Sequence, residues 1–73
     1  MTNIDKVLAA ILTYWRENAI PPTIRAVQMN TGISSSSLVR RYYLKLAQTG
    51  AIKYIKGKPV PIQIYNLLKE NLT

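Results

Sequence analysis

Pro21 and Pro22 divide this chain more firmly than any other feature. A proline has no amide hydrogen to give a helix and biases the residue before it toward extended angles, so the pair forces an extended connection. Upstream, Ile4, Val7, Leu8, Ile11, Leu12 and Trp15 recur at steps of three and one. One broad apolar stripe of that kind predicts a helix over 4–17. Thr2 or Asn3 can cap its start, and Asp5 suits the positive end of its dipole. Trp15 reads as a core plug. Downstream, Thr23 has the chemistry to cap a short second helix, 24–30, with Ile24 and Val27 inward and Arg25 and Gln28 outward.

Thr31-Gly32-Ile33 then reads as a tight turn, the glycine closing the helix in the left-handed conformation and Ile33 dropping inward. The serine run 34–37 leads directly into a helical pattern, so it is the start of a third helix reaching about Thr49. At about 100° per residue, Val39, Tyr43, Leu46 and Gly50 share one side, and Ser37, Arg40, Arg41, Leu44 and Gln48 share the other. Two β-prone runs follow, 51–55 and 60–65, around a basic turn at 56–59, which makes a hairpin. Pro59 and Pro61 confine the returning strand to an edge. Asn66 to Leu72 has room for one or two helical turns. The domain expected is therefore 1–65, with 66–73 as a tail or short helix.

Composition limits the chemistry. Seventy-three residues fit one small domain, and 48% hydrophobic content is enough for a packed core. With no cysteine or histidine, disulfides are excluded and zinc and haem lose their usual ligands; no metal or cofactor is expected. Asp5, Glu17 and Glu70 are too scattered for a calcium loop or an acid–base pair. The longest apolar run, Val7 to Leu12, falls far short of the roughly 20 residues of a membrane span. No signal-peptide pattern appears, which points to a cytoplasmic protein. Enzyme readings are poor, since any Ser–Lys pair drawn from Ser34–Ser37 would be a coincidence of composition.

Charge is more telling. From Ile24 to Val60 the chain carries Arg25, Arg40, Arg41, Lys45, Lys53, Lys56 and Lys58 and no acid, within a net charge of +7. Such a segment attracts polyanions, and nucleic acid explains it better than a merely solvated face. The N-terminal stripe is charge-balanced, so it lacks the signature of a membrane-surface helix. The order of elements is that of a three-helix winged helix-turn-helix, an α+β and mainly helical fold with a two-stranded wing. In that architecture the third helix enters a major groove of double-stranded DNA. Ser36, Ser37, Arg40 and Arg41 would reach base edges, and Arg forks suit guanine. Ser34, Ser35 and the helix-start amides suit phosphate oxygens, and Lys56 and Lys58 at the wing tip suit the flanking backbone.

The stretches 21–25 (Pro-Pro-Thr-Ile-Arg), 31–39, 46–53 and 58–64 resemble the N-terminal DNA-binding domain of the LexA family of SOS repressors, above all its Gram-positive versions. The resemblance covers residues 7 to 64. It implies a transcriptional repressor of bacterial or phage origin, with a recognition helix on 35–48 and a wing on 53–60. It places base-reading and phosphate-binding positions on Ser36, Ser37, Arg40, Arg41, Tyr42 and Lys45, with Lys53 on the wing. Arg40, Arg41 and Tyr42 replace the family's usual residues, so its operator does not carry over. Tyr43 stands where the family packs an aliphatic residue. LexA also has a self-cleaving, dimerising C-terminal domain, and nothing in these 73 residues supplies its serine–lysine dyad. The expected state is a monomer that pairs weakly on DNA through 66–73. The alternative reading is an interaction module for a larger regulator or polymerase, presenting Leu44, the Leu38/Tyr42 margin, Leu67, Leu68 and Leu72.

Overall fold

Each of the first three helices begins at a hydroxyl side chain that accepts from a backbone amide three residues on: Thr2 from Asp5, Thr23 from Ala26 and Ser35 from Leu38. These bonds satisfy amides that have no partner inside the helix. The computed structural model describes residues 2–72, with side chains through Glu70. Its elements run α1 (Asn3–Asn18), α2 (Ile24–Thr31), α3 (Ser36–Gln48), β1 (Ile52–Ile55), β2 (Lys58–Pro61) and α4 (Ile62–Leu72). It is a mainly helical α+β fold with the arrangement of a winged helix-turn-helix.

The α1 stripe supplies one wall of the core. Val7 and Ile11 are fully buried and Ala10 nearly so, while Ile4, Leu8 and Trp15 pack at the margin. Val27 from α2, Ile33 from the turn, Val39, Tyr43 and Leu46 from α3, and Ile52 from β1 complete the cluster. α1 packs on α2, α3 and β2, and α3 packs on α2 and β1. The core is thus gathered from four elements and the turn, and it leaves the opposite face of α3 uncovered. Trp15 does more than fill space: its indole Nε1 donates to the Pro59 carbonyl at 2.9 Å, tying α1 to the wing.

The hairpin differs from the sequence expectation. Its turn is two residues, Lys56 and Gly57, both at positive φ (52° and 77°), not the four residues 56–59. Two successive left-handed residues make the primed turn whose twist matches that of the flanking strands. The register pairs Ile55 with Lys58, Tyr54 with Pro59, Lys53 with Val60 and Ile52 with Pro61. Pairs alternate between hydrogen-bonded and non-hydrogen-bonded outward from a two-residue turn, so Pro59 and Pro61 occupy the positions whose amides face away from the partner. That frees the Pro59 carbonyl for Trp15.

The returning strand also ends sooner, at Pro61 rather than Tyr65, and α4 starts at once, with Ile62 N donating to the Ala51 carbonyl at 3.0 Å. Ile64, Tyr65 and Leu68 are half-buried at helical spacing, and α4 lies on both strands. Burial of that stripe overrides the β-propensity of Ile62, Ile64 and Tyr65. Most of the segment expected as a tail or short helix is helical, as the continuation of α4; Thr73 lies outside the described residues.

Candidate nucleic-acid interface

The turn between α2 and α3 is held by local hydrogen bonds. Gly32, at φ 78°, takes the left-handed cap, and its amide donates to the Gln28 carbonyl at 2.8 Å. Thr31 Oγ1 donates to the Val27 carbonyl at 2.7 Å and accepts from the Ile33 amide at 3.3 Å. Gln28 reaches across the turn, Nε2 donating to the Ser34 carbonyl at 2.7 Å. With Ile33 buried and Ser35 Oγ accepting from Leu38 N at 3.1 Å, the start of α3 is pinned on both sides. The angle at which α3 leaves the turn is thereby fixed.

The serines divide accordingly. Ser34 and Ser35 stand in the turn and cap, the first bonded through its carbonyl and the second through its hydroxyl. Ser36 and Ser37 are exposed on the first turn of α3 with hydroxyls that have no partner among the described residues. Val39, Tyr43 and Leu46 face the core, so at about 100° per residue Ser37, Arg41, Leu44 and Gln48 occupy the middle of the outer face. Arg40 and Lys45 fall on its two flanks. Arg40, Arg41 and Lys45 are exposed, and among the described residues no hydrogen bond or ion pair holds either guanidinium to the protein. Tyr42 stands apart from the rest of the expected set: it is half-buried and packs against the core at the α3 margin.

Arg25 extends from the first turn of α2, Lys53 from β1, and Lys56 and Lys58 from the wing tip; all are exposed. Three of the cations, Arg25, Arg40 and Lys58, meet around one groove of about 650 Å³ between the start of α2, the flank of α3 and the hairpin. Its walls include Pro22, Leu44, Tyr54 and Pro59, with Tyr43 also lining it and no acid in the lining. Arg41, Lys45, Lys53 and Lys56 are not part of it. The Tyr43 hydroxyl is buried without a partner, and the residue is only 5% exposed. Burial, with Tyr54 beside it, pushes the Tyr43 phenol up to about 12, and burial raises Tyr54 as well. Both are neutral donors at physiological pH.

These two tyrosines are what sequence reasoning missed as site residues. Tyr54 shares strand parity with the buried Ile52, which places it toward the helices, and that was the available signal. Among the apolar residues considered as a docking patch, Leu44 (59% exposed) and Leu67 (60%) are open. Leu38 packs on the core, Leu68 is half-buried, and the Leu72 side chain lies outside the described residues. No metal-binding group of His, Cys, Asp or Glu occurs among the described residues, and no helix there is long and apolar enough to cross a membrane.

Against known proteins, the chain is 32% identical over 59 residues to the LexA repressor of Carboxydothermus hydrogenoformans. The match takes in 81% of this chain and 29% of that repressor, so the chain spans less than a third of its relative's length. No protein-family model matches, and no solved structure does.

Proposed function

We propose that this chain is a non-enzymatic, sequence-specific binder of double-stranded DNA, acting in the cytoplasm of a bacterium, or of a phage-infected one, as a LexA-like repressor module. The observation that carries this reading is the outer face of α3. It bears Arg41 and the neighbouring Arg40 unpaired, lies beside a basic wing, and has no acid between residues 24 and 60. In this reading α3 lies in the major groove, with Ser37 and Arg41 toward base edges and Arg40, on the flank that lines the groove beside the wing, toward the phosphate backbone. Ser34, Ser35, Ser36 and the α3 amides, together with Arg25, Lys45 and Lys53, meet phosphates, and Lys56 and Lys58 follow the flanking backbone. Tyr42, at the half-buried margin, contributes a hydroxyl to the same backbone. The similarity to a LexA repressor supports the reading. The expected boundary at 65 falls inside α4, so the functional unit takes in that helix, and weak pairing on DNA uses the exposed side of its C-terminal half.

The test is selection from a pool of randomised duplexes, followed by gel retardation of the winners against random DNA. Enrichment of a common site with retardation at low salt is the expected result. A protein that enriches no sequence and retards no duplex at low salt is not a DNA-binding module.

A further inference from the structure

The groove between α2, α3 and the wing has features that a row of surface cations does not. Its floor holds a phenol whose hydroxyl is sealed from water and bonded to nothing. A buried polar atom left unpaired costs free energy that a packed aliphatic side chain would avoid. Lining the same groove as Tyr43 are Arg25, Arg40 and Lys58, from three elements far apart in sequence, with no carboxylate among the lining residues. The groove is also bordered by the start of α2, where helix-end amides favour negative charge. Its volume of about 650 Å³ exceeds that of a bare anion, and its apolar walls, Pro22, Leu44 and Pro59, suit the body of a nucleotide.

We propose that this groove is a phosphate-group site, in which Arg25, Arg40 and Lys58 hold the anion and the Tyr43 hydroxyl donates to it from below. Tyr54, 40% exposed on the hairpin, lines the groove beside Tyr43; because the Tyr43 hydroxyl is sealed, binding requires the side chains that cover it to move aside. The phosphate is a diester of a bound DNA strand or the group of a free nucleotide, and the two sources share this chemistry. The first source rests on the DNA-binding reading above, and the second does not.

The experiment compares the wild type with Tyr43→Phe, matched for melting temperature, in two titrations. One uses a duplex DNA followed by anisotropy. The other uses thymidine 5′-monophosphate followed by amide NMR shifts at Thr23, Ile24 and Arg25. Loss of one hydrogen bond to a charged oxygen weakens binding by about ten-fold. A loss of that size on duplex alone assigns the site to the DNA backbone. Saturable monophosphate shifts in the wild type that vanish in Tyr43→Phe assign it to a free nucleotide, even if no duplex binds. Arg25→Gln, at an exposed position that cannot disturb the core, reproduces either loss should the phenylalanine variant fold poorly. If both variants bind duplex and monophosphate as the wild type does, or if the wild type binds neither, there is no phosphate site in this groove.

Discussion

Arg41→Gln and Lys58→Gln should separate base reading from phosphate holding in a way either variant alone cannot. Seven exposed cations lie between residues 24 and 60. If about six of them meet phosphates, log affinity falls against log salt with a slope of roughly −5 to −6, at about 0.9 per contact. Arg41 stands in the middle of the outer face of α3 and has no partner in the protein. Removing its charge should therefore leave the melting temperature unchanged, within about 0.5 kcal/mol of stability. On the selected site it should cost about 1–3 kcal/mol and relax the preference at one base pair, with the salt slope kept. Lys58, beside the hairpin turn, should behave in the opposite way. Its loss should weaken specific and random duplexes alike and reduce the slope by about one. The assay is fluorescence anisotropy across a salt series on both duplexes. If Arg41→Gln lowers binding equally on both and shifts the slope, that arginine holds a phosphate and α3 is not reading bases through it. If the wild-type slope is flat, the electrostatic mechanism is gone altogether.

Four further outcomes concern the scaffold. Ala19 caps α1 at φ 57° while exposed, so Ala19→Gly should raise stability by about 0.5–1 kcal/mol. Gly32→Ala at φ 78° should lower it by a comparable amount, since an added Cβ meets nothing and only backbone strain is left; paired urea melts check both signs. Trp15→Phe removes the indole bond to the Pro59 carbonyl and should cost about 1–3 kcal/mol; an unchanged thermal midpoint would mean the bond does not hold α1 to the wing. Alkaline pH tests Tyr43. Its phenol ionises near 10 in the unfolded chain and near 12 in the fold, so the native state resists releasing that proton. The contribution is intact below pH 10 and is lost between pH 10 and about 12, to a total of about 3 kcal/mol. Tyr43→Phe should remove this part of the alkaline destabilisation in melts from pH 9 to 12, and an identical pH profile in the variant would show that Tyr43 is not the group responsible.

What could be read from the sequence and what could not divides along a physical line. The α1 stripe, the Thr23 cap, the Gly32 turn and a helix start within the serine run are set by neighbours within four residues, and the structure has them where local chemistry puts them, with Ser35 as the third cap. The turn and end of the hairpin lie beyond local signals, because a left-handed Lys56 is a local rarity and because α4 forms on the surface of a wing that sequence periodicity alone does not display. The groove was out of reach for a stronger reason. Residues 22–25, 40–44 and 54–59 meet only after the core has closed, and no pattern within one helix can bring them together. This changes the reading of the adjacent arginines. Sequence reasoning treats Arg40 and Arg41 as one pair on one face, yet a step of about 100° separates them. Arg40 turns to the groove, toward Tyr43 and the wing, while Arg41 stays outermost. A bound strand passing between α3 and the wing would therefore meet the two guanidiniums in different surroundings, one beside its backbone and the other at its bases. On this geometry Arg40→Gln should lower affinity for every duplex more than it alters sequence preference, the reverse of Arg41→Gln.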